Sequence, residues 1–310
     1  MDKVICIVGP TASGKTGLAI ELAKKIDAEI ISADSMQIYK GLDVGTAKVT
    51  KEEADGIPHH IIDVCSPEDK FSVADFKNLC YDTIKEIKSR GKNVIIAGGT
   101  GLYVNAVVYN MNFTEEETDT ELRAELENIA KEKGNEYLHN MLRELDPKAA
   151  DEIHMNNVKR VIRAIEIAKK TNTLKSTHMQ EEKERIDTQK GLYDFVVFCI
   201  EQERQYLYDR INLRVDLMVN DGIIDEAKKV YDMKLPKDNT CMQAIGYKEF
   251  FPYFRGEATL EECIDILKKE TRHYAKRQMT WFNNKLDTIK LDGSKPKKEL
   301  VEEIIDILNK

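Results

Sequence analysis

Eight residues near the start of the chain carry the clearest chemistry. Gly9-Pro10-Thr11-Ala12-Ser13-Gly14-Lys15-Thr16 satisfies the pattern G-x-x-x-x-G-K-[ST] at every position. In such a loop successive backbone N–H groups form a concave nest at a helix N-terminus, where an anion is stabilised. Lys15 adds a full positive charge, and the Thr16 hydroxyl can ligate Mg²⁺. A loop of this kind needs a strand before it and a helix after it. Residues 3–8 read KVICIV, a short apolar run, and Leu18, Leu22, Ala23 and Ile26 recur with helical spacing. Phosphate binding follows from this context; the pattern does not say whose phosphates they are.

Further candidates follow the later strands. Residues 29–33 read as a strand that ends at Asp34, and ligands of open α/β sheets bind beyond the carboxyl ends of the strands. An Asp after a strand is commonly a turn or cap residue. Here it would share a rim with the phosphate loop. Residues 93–97 form another strand, followed by Gly98-Gly99-Thr100-Gly101. A nucleoside triphosphatase would want an Asp at such a strand end, to hold Mg²⁺. This chain has Ala97 and a glycine turn, with Thr100 as the nearby hydroxyl. The GLDVGTAK stretch, residues 41–48, is a weak signal by itself. Asn284-Lys285-Leu286-Asp287 spells the guanine-specificity pattern N-K-x-D, but it follows a helical run instead of a strand and is read as chance.

The elements that must position these residues point to an α/β fold. It is a P-loop NTPase-like core, a central parallel sheet flanked by helices, with an all-helical insertion. Strands are expected at 3–8, 29–33, 59–64, 93–97, 193–200 and 286–291. Helices are expected after the phosphate loop and at 72–90, 203–220, 224–230, 259–281 and 297–308, with Ser72 capping the second. From Thr118 to Lys183 the chain turns charged and helical, without a strand-like run. The division expected is therefore core at 1–117, insertion at 118–190 and core again at 191–310. Lys159, Arg160 and Arg163 cluster on an insertion helix. Arg210 and Arg214 lie four apart on one helix face. Lys268, Arg272 and Lys276 follow one another at i+4 on the long helix, beside Lys269, His273 and Arg277. A charge cluster is usually a solvated face; a concentrated basic one on an acidic protein also suits a polyanion.

Composition bounds the rest. The 310 residues carry a net charge of −8, so a nucleic-acid partner must be met by a local patch. The six cysteines are scattered without a C-x-x-C pair, which argues against a zinc module or disulfide framework and fits a reducing cytosol. The adjacent His59 and His60 lack a second cluster and are read as structural. No signal-peptide layout and no transmembrane run are expected. A cytoplasmic protein without a membrane partner is the expectation, and a monomer, since nothing suggests an obligate interface.

Six stretches in order, GPTASGKT, DSMQIYKGLDVGTAK, GGTGLY, DRINLRVDLM, AIGYKE and AKRQMTWF, resemble the bacterial tRNA dimethylallyltransferase family over about residues 3–285. The resemblance implies transfer of a dimethylallyl group from dimethylallyl diphosphate to the exocyclic amine of the adenosine immediately 3′ of the anticodon. Gly9, Thr11, Ala12, Ser13, Gly14, Lys15 and Thr16 would then hold the donor's diphosphate. Lys15, Arg214 and Mg²⁺ on Thr16 would neutralise the leaving group. Asp34 would accept the amine proton, and Thr100 would hold base and diphosphate in line. Asp34, Ser35, Met36, Gln37, Thr100 and Arg123 would contact the tRNA. Lys159, Arg160 and Arg163, with Gln243, Gly246 and Lys248, would grip its anticodon stem-loop, and Arg277 and Gln278 would support the site. Related bacterial sequences carry Pro-Gln-Arg where this chain has Val158-Lys159-Arg160, a change that suits a phosphate contact better than a base contact. The zinc finger of eukaryotic relatives has no cysteines here. An adenylate isopentenyltransferase would share the loop and Asp34 but have no use for the insertion or the two basic helices. A small-molecule kinase is disfavoured by Ala97, and a non-catalytic RNA-binding P-loop protein by Asp34 and Thr100 on one rim.

Overall fold

In a computed structural model of the chain, residues 3–113, 119–171, 174, 176–177, 192–236 and 239–309 are described. The chain divides into two compact units, Met1–Asn110 with Gly191–Lys310, and Met111–Lys190. The first segment thus ends earlier than the 117 expected from composition.

The larger unit is built on six parallel strands in the order β3-β2-β4-β1-β5-β6. They are β1 (Lys3–Val8), β2 (Ala28–Ser32), β3 (His59–His60), β4 (Asn93–Gly98), β5 (Asp194–Glu201) and β6 (Ile289–Asp292). Strands covered by helices on both faces read as continuous apolar runs, which explains KVICIV. Alternation within that run still sorts the side chains. Val4, Cys6 and Val8 enter one core with Val94 and Ile96 of β4, while Ile5 and Ile7 enter the other with Ile95. The helices Lys15–Ile26 and Lys297–Leu308 cover the second face. Val73–Ser89, Gly101–Val108, Arg204–Asn220, Ile223–Asp232 and Leu260–Lys285 supply residues to the first.

Helix starts follow local chemistry. Ser72 and Thr259 each close a capping box, with Asp75 and Glu262 respectively. The expected strand at 59–64 is cut to two residues. Ile61 and Asp63 turn left-handed, at φ 60° and 56°, and leave the sheet. Lys48 holds that turn: its Nζ donates to Tyr39 O, Asp43 Oδ1 and Asp63 Oδ1 at 2.5–2.6 Å. The lysine of the GLDVGTAK stretch is thus a scaffold residue. His60 pairs with Glu29 at 2.6 Å and His59 with the Ile57 carbonyl at 2.8 Å. Asn284 and Lys285 close the long helix, so N-K-x-D has no strand before it.

The smaller unit holds helices Thr120–Lys133, Asn135–Leu145, Pro147–Glu152 and Val158–Thr171. Its core of Leu126, Leu138, Leu142, Ala149, Ala150, Val161, Ile162 and Ile165 is separate from the cores of the sheet.

Candidate active site

β1 ends at Val8, and the chain passes through the glycine loop into the helix Lys15–Ile26. Gly14 sits at φ 94°, where a side chain would be strained. Thr11, Lys15 and Thr16 line a cavity of about 410 Å³. Gly9, Ala12, Ser13 and Gly14 carry the backbone path without lining it. Lys15 Nζ donates to Pro10 O at 2.6 Å, and Arg214 Nη1 donates to Thr11 Oγ1 at 3.3 Å. Burial pushes the Lys15 ammonium down to about 8; Arg214 adds to the shift and Asp34 opposes it. Burial also lowers Arg214, again against the pull of Asp34. Lys15, Arg214, Lys248 and Arg277 line the cavity with a single carboxylate, Asp34. On a chain of net charge −8, this is a local excess of positive charge that favours an anion.

Strand order brings Asp34 and Thr100 together. β2 pairs with β4 in the register Ser32↔Ala97, so the turns that follow them lie side by side. Thr100 N donates to Ala33 O at 3.2 Å, and Ser35 N donates to Thr100 Oγ1 at 3.0 Å. Met36 N donates to Asp34 Oδ1 at 2.9 Å, closing an Asx turn that presents the carboxylate to the cavity. Thr100 lies behind this turn and holds it. Burial and the Asp34 charge push the Tyr274 phenol up, against its hydrogen bonds to Thr100 and Gln278. Tyr274 lines the cavity. It lies seven residues from both Leu267 and Trp281, so by spacing it reads as one more apolar position of the long helix and gives no sign of a site residue.

Gln278 is buried, and both ends of its amide are used. Its Oε1 accepts Thr11 N at 2.8 Å, and its Nε2 donates to Gly99 O at 2.9 Å. It clamps the phosphate loop to the glycine turn after β4. Gln37 is used in the same way, accepting from Ser32 Oγ and donating to Thr46 O and Ala47 O. Ser35, Met36, Gln37, Gln243, Gly246, Lys248, Arg277 and Gln278 all line the cavity. Part of the long helix's basic face is spent within the protein. Lys268 pairs with Asp216 at 2.6 Å, and Arg272 donates to Asn212 Oδ1 at 2.6 Å.

Arg123, Lys159, Arg160 and Arg163 belong to the helical unit. Lys159 and Arg160 are exposed. Arg123 and Arg163 both converge on Glu166, which is fully buried, at 2.9 and 2.8 Å. Glu166 was not legible beforehand, because it reads as one more charge on a charged helix.

Comparison with known proteins gives the family. The IPP transferase family matches residues 37–285. A tRNA dimethylallyltransferase of Acetivibrio thermocellus is 55% identical over 282 residues, covering 91% of this chain and 89% of its own length. One from Bacillus subtilis is 47% identical over 293 residues, with 94% and 91% covered. Among solved structures, the full-length tRNA isopentenylpyrophosphate transferase of Bacillus halodurans superposes with a TM-score of 0.73 at 46% identity, over 100% of this chain and 96% of that one. A eukaryotic dimethylallyltransferase acting on tRNA reaches a TM-score of 0.82 at 31% identity, over 99% of this chain and 78% of its own. With the match spanning residues 37–285 and identity of this order over most of its length, the chain belongs to the IPP transferase family.

Proposed function

We propose that this chain is a tRNA dimethylallyltransferase that moves the five-carbon group of dimethylallyl diphosphate onto the N6 amine of the adenosine 3′-adjacent to the anticodon, releasing diphosphate. The observation that carries the reading is the shared cavity. Lys15 of the phosphate loop, Arg214 and the Asp34 carboxylate line one cavity, with apolar side chains beside them. Lys15 and Arg214 face the donor's diphosphate and stabilise the charge that develops as the C–O bond breaks. Ile211, Val215, Met218 and Leu267 give the prenyl tail an apolar wall. An adenine amine is a weak nucleophile. Asp34 accepts its hydrogen bond and takes the proton as the C–N bond forms, a role worth about 10²–10⁴ in rate. Thr100 holds the Asp34 turn in place. The base must leave its stack to reach the cavity.

The donor set fits Mg²⁺. Thr16 is exposed and lines the cavity together with Asp34. No group of three His, Cys, Asp or Glu forms a closed metal cage among the described residues. One hydroxyl, a nearby carboxylate, water and diphosphate oxygens are the usual company of this ion. Thr16 would hold it, and it would add positive charge against the diphosphate. The tRNA anticodon stem-loop would lie along Ser35–Gln37 and Gln243–Lys248, with Lys159, Arg160 and Arg123 supplying further contacts from the helical unit. No described helix is long and apolar enough to cross a membrane. A cytoplasmic monomer fits this reading.

Radiolabelled dimethylallyl diphosphate, offered with Mg²⁺ to unmodified tRNA and to AMP in parallel, tests the proposal. Label in tRNA alone is expected. Label in AMP alone overturns the acceptor, and consumption of ATP with no label in either overturns the prenyl donor.

A further inference from the structure

Two loops that line the cavity, 43–47 and 243–248, also touch one another. A Cβ on Gly45 would come within 2.6–2.8 Å of the Tyr247 ring and hydroxyl, and one on Gly246 (φ 111°) would lie 3.2 Å from Gly45 O. Behind this contact lies Glu226, buried on the helix Ile223–Asp232. Its Oε2 accepts Asp43 N at 2.8 Å and Val44 N at 3.0 Å; its Oε1 accepts Gly45 N at 2.9 Å and the Tyr247 hydroxyl at 2.8 Å. No Lys or Arg pairs with it among the described residues. A buried carboxylate served only by neutral donors tolerates little movement of them, since each lost bond leaves charge unsolvated.

We propose that Glu226 is a positioning residue for the acceptor side of the reaction, a role that rests on the function proposed above. It does not line the cavity itself. It sets the 43–47 loop against Tyr247, and through Thr46 O and Ala47 O that loop fixes the Gln37 amide. The wall from Ser35 to Gln37 and from Gln243 to Lys248 is thereby held in one register for the tRNA. Among the described residues, the hydrogen bonds that Thr11, Lys15 and Arg214 on the donor side make beyond their own helices go to Gln278, Pro10 and one another.

The test is Glu226→Gln, which removes the charge and replaces one carboxylate oxygen with an NH2 that cannot accept the backbone N–H it faces. Filter binding should show tRNA affinity weakened about tenfold, with dimethylallyl diphosphate affinity within about twofold. Hydrogen exchange at Asp43, Val44 and Gly45 should speed up while β1 is unchanged. Should Glu226→Gln fail to fold, Tyr247→Phe carries the test, because it keeps the ring on Gly45 and removes one bond; tRNA affinity should then fall about threefold. Unchanged tRNA affinity overturns the proposal, and so does an equal loss of donor and tRNA binding. Prenyl transfer by the wild type is read separately. A wild type that binds tRNA but transfers nothing sinks the proposed function, while the tRNA comparison still decides the role of Glu226.

Discussion

Asp34 and Lys15 are separated by chemistry as well as by position. Asp34 receives one backbone N–H on Oδ1, and its second oxygen accepts nothing from the described residues. Asp34→Asn keeps the Asx turn and removes the proton acceptor. Single-turnover transfer should slow about 10²–10⁴-fold with tRNA affinity within a few-fold; a matching loss of tRNA binding would make Asp34 an anchor instead. Lys15 is held at about 8 by burial and by Arg214. A bound diphosphate favours its charged form, so its pKa rises on binding. Below pH 8 the Lys15 proton is already present, and Lys15 contributes no pH dependence to donor affinity. Above pH 8 binding must take up a proton, and the dissociation constant should weaken by up to about tenfold per pH unit until the ordinary lysine range. Calorimetry at several pH values, in two buffers of different ionisation enthalpy, measures both slope and proton uptake. Lys15→Ala should lose donor binding and the slope with it.

At the scale of elements, single side chains join segments far apart in the chain. Gln278 spans from the long helix to two loops that follow β1 and β4. Gln278→Ala leaves Thr11 N and Gly99 O unpaired, at about 1–3 kcal/mol each. Denaturant unfolding should show that loss, and donor binding should weaken because the phosphate loop is released. In the helical unit burial raises Glu166, but hydrogen bonds from Arg163 and Arg123 outweigh it and hold the carboxyl below its usual range. Its contribution to stability is thus present above the unfolded carboxylate pKa and is lost as pH falls through the lower folded value. Glu166→Ala should destabilise the helical unit by about 3 kcal/mol, at the low end for a broken buried pair because both guanidinium groups are partly solvated. Calorimetry should show this loss shrinking on acidification.

For the whole molecule, the question is how a chain of net charge −8 binds RNA. Its cations are used unevenly. Lys48, Lys268 and Arg272 are spent on internal partners, while Lys159 and Arg160 remain exposed. Reversing Lys159 and Arg160 to Glu should weaken tRNA binding and make its log–log salt dependence shallower by about 1.5, as expected for two lost phosphate contacts. An unchanged slope would make the pair a solvated face. Arg163 is a poor subject for this test, since its removal also strips Glu166.

Local features were legible because their causes are local. The phosphate loop, the cap at Ser72 and the twice-buried strands depend on residues a few positions apart. The third strand was overread at 59–64 because an apolar run does not reveal the left-handed turns at Ile61 and Asp63. The family resemblance named every charged residue that lines the cavity, though not what holds them. Only the strand order set Asp34 beside Thr100, and only packing paired Gln278 with Thr11, Glu226 with the 43–45 loop and Arg123 with Glu166. Those partners lie tens to hundreds of residues apart. Their pairing depends on which faces are buried together, a property of the assembled core that no local spacing encodes.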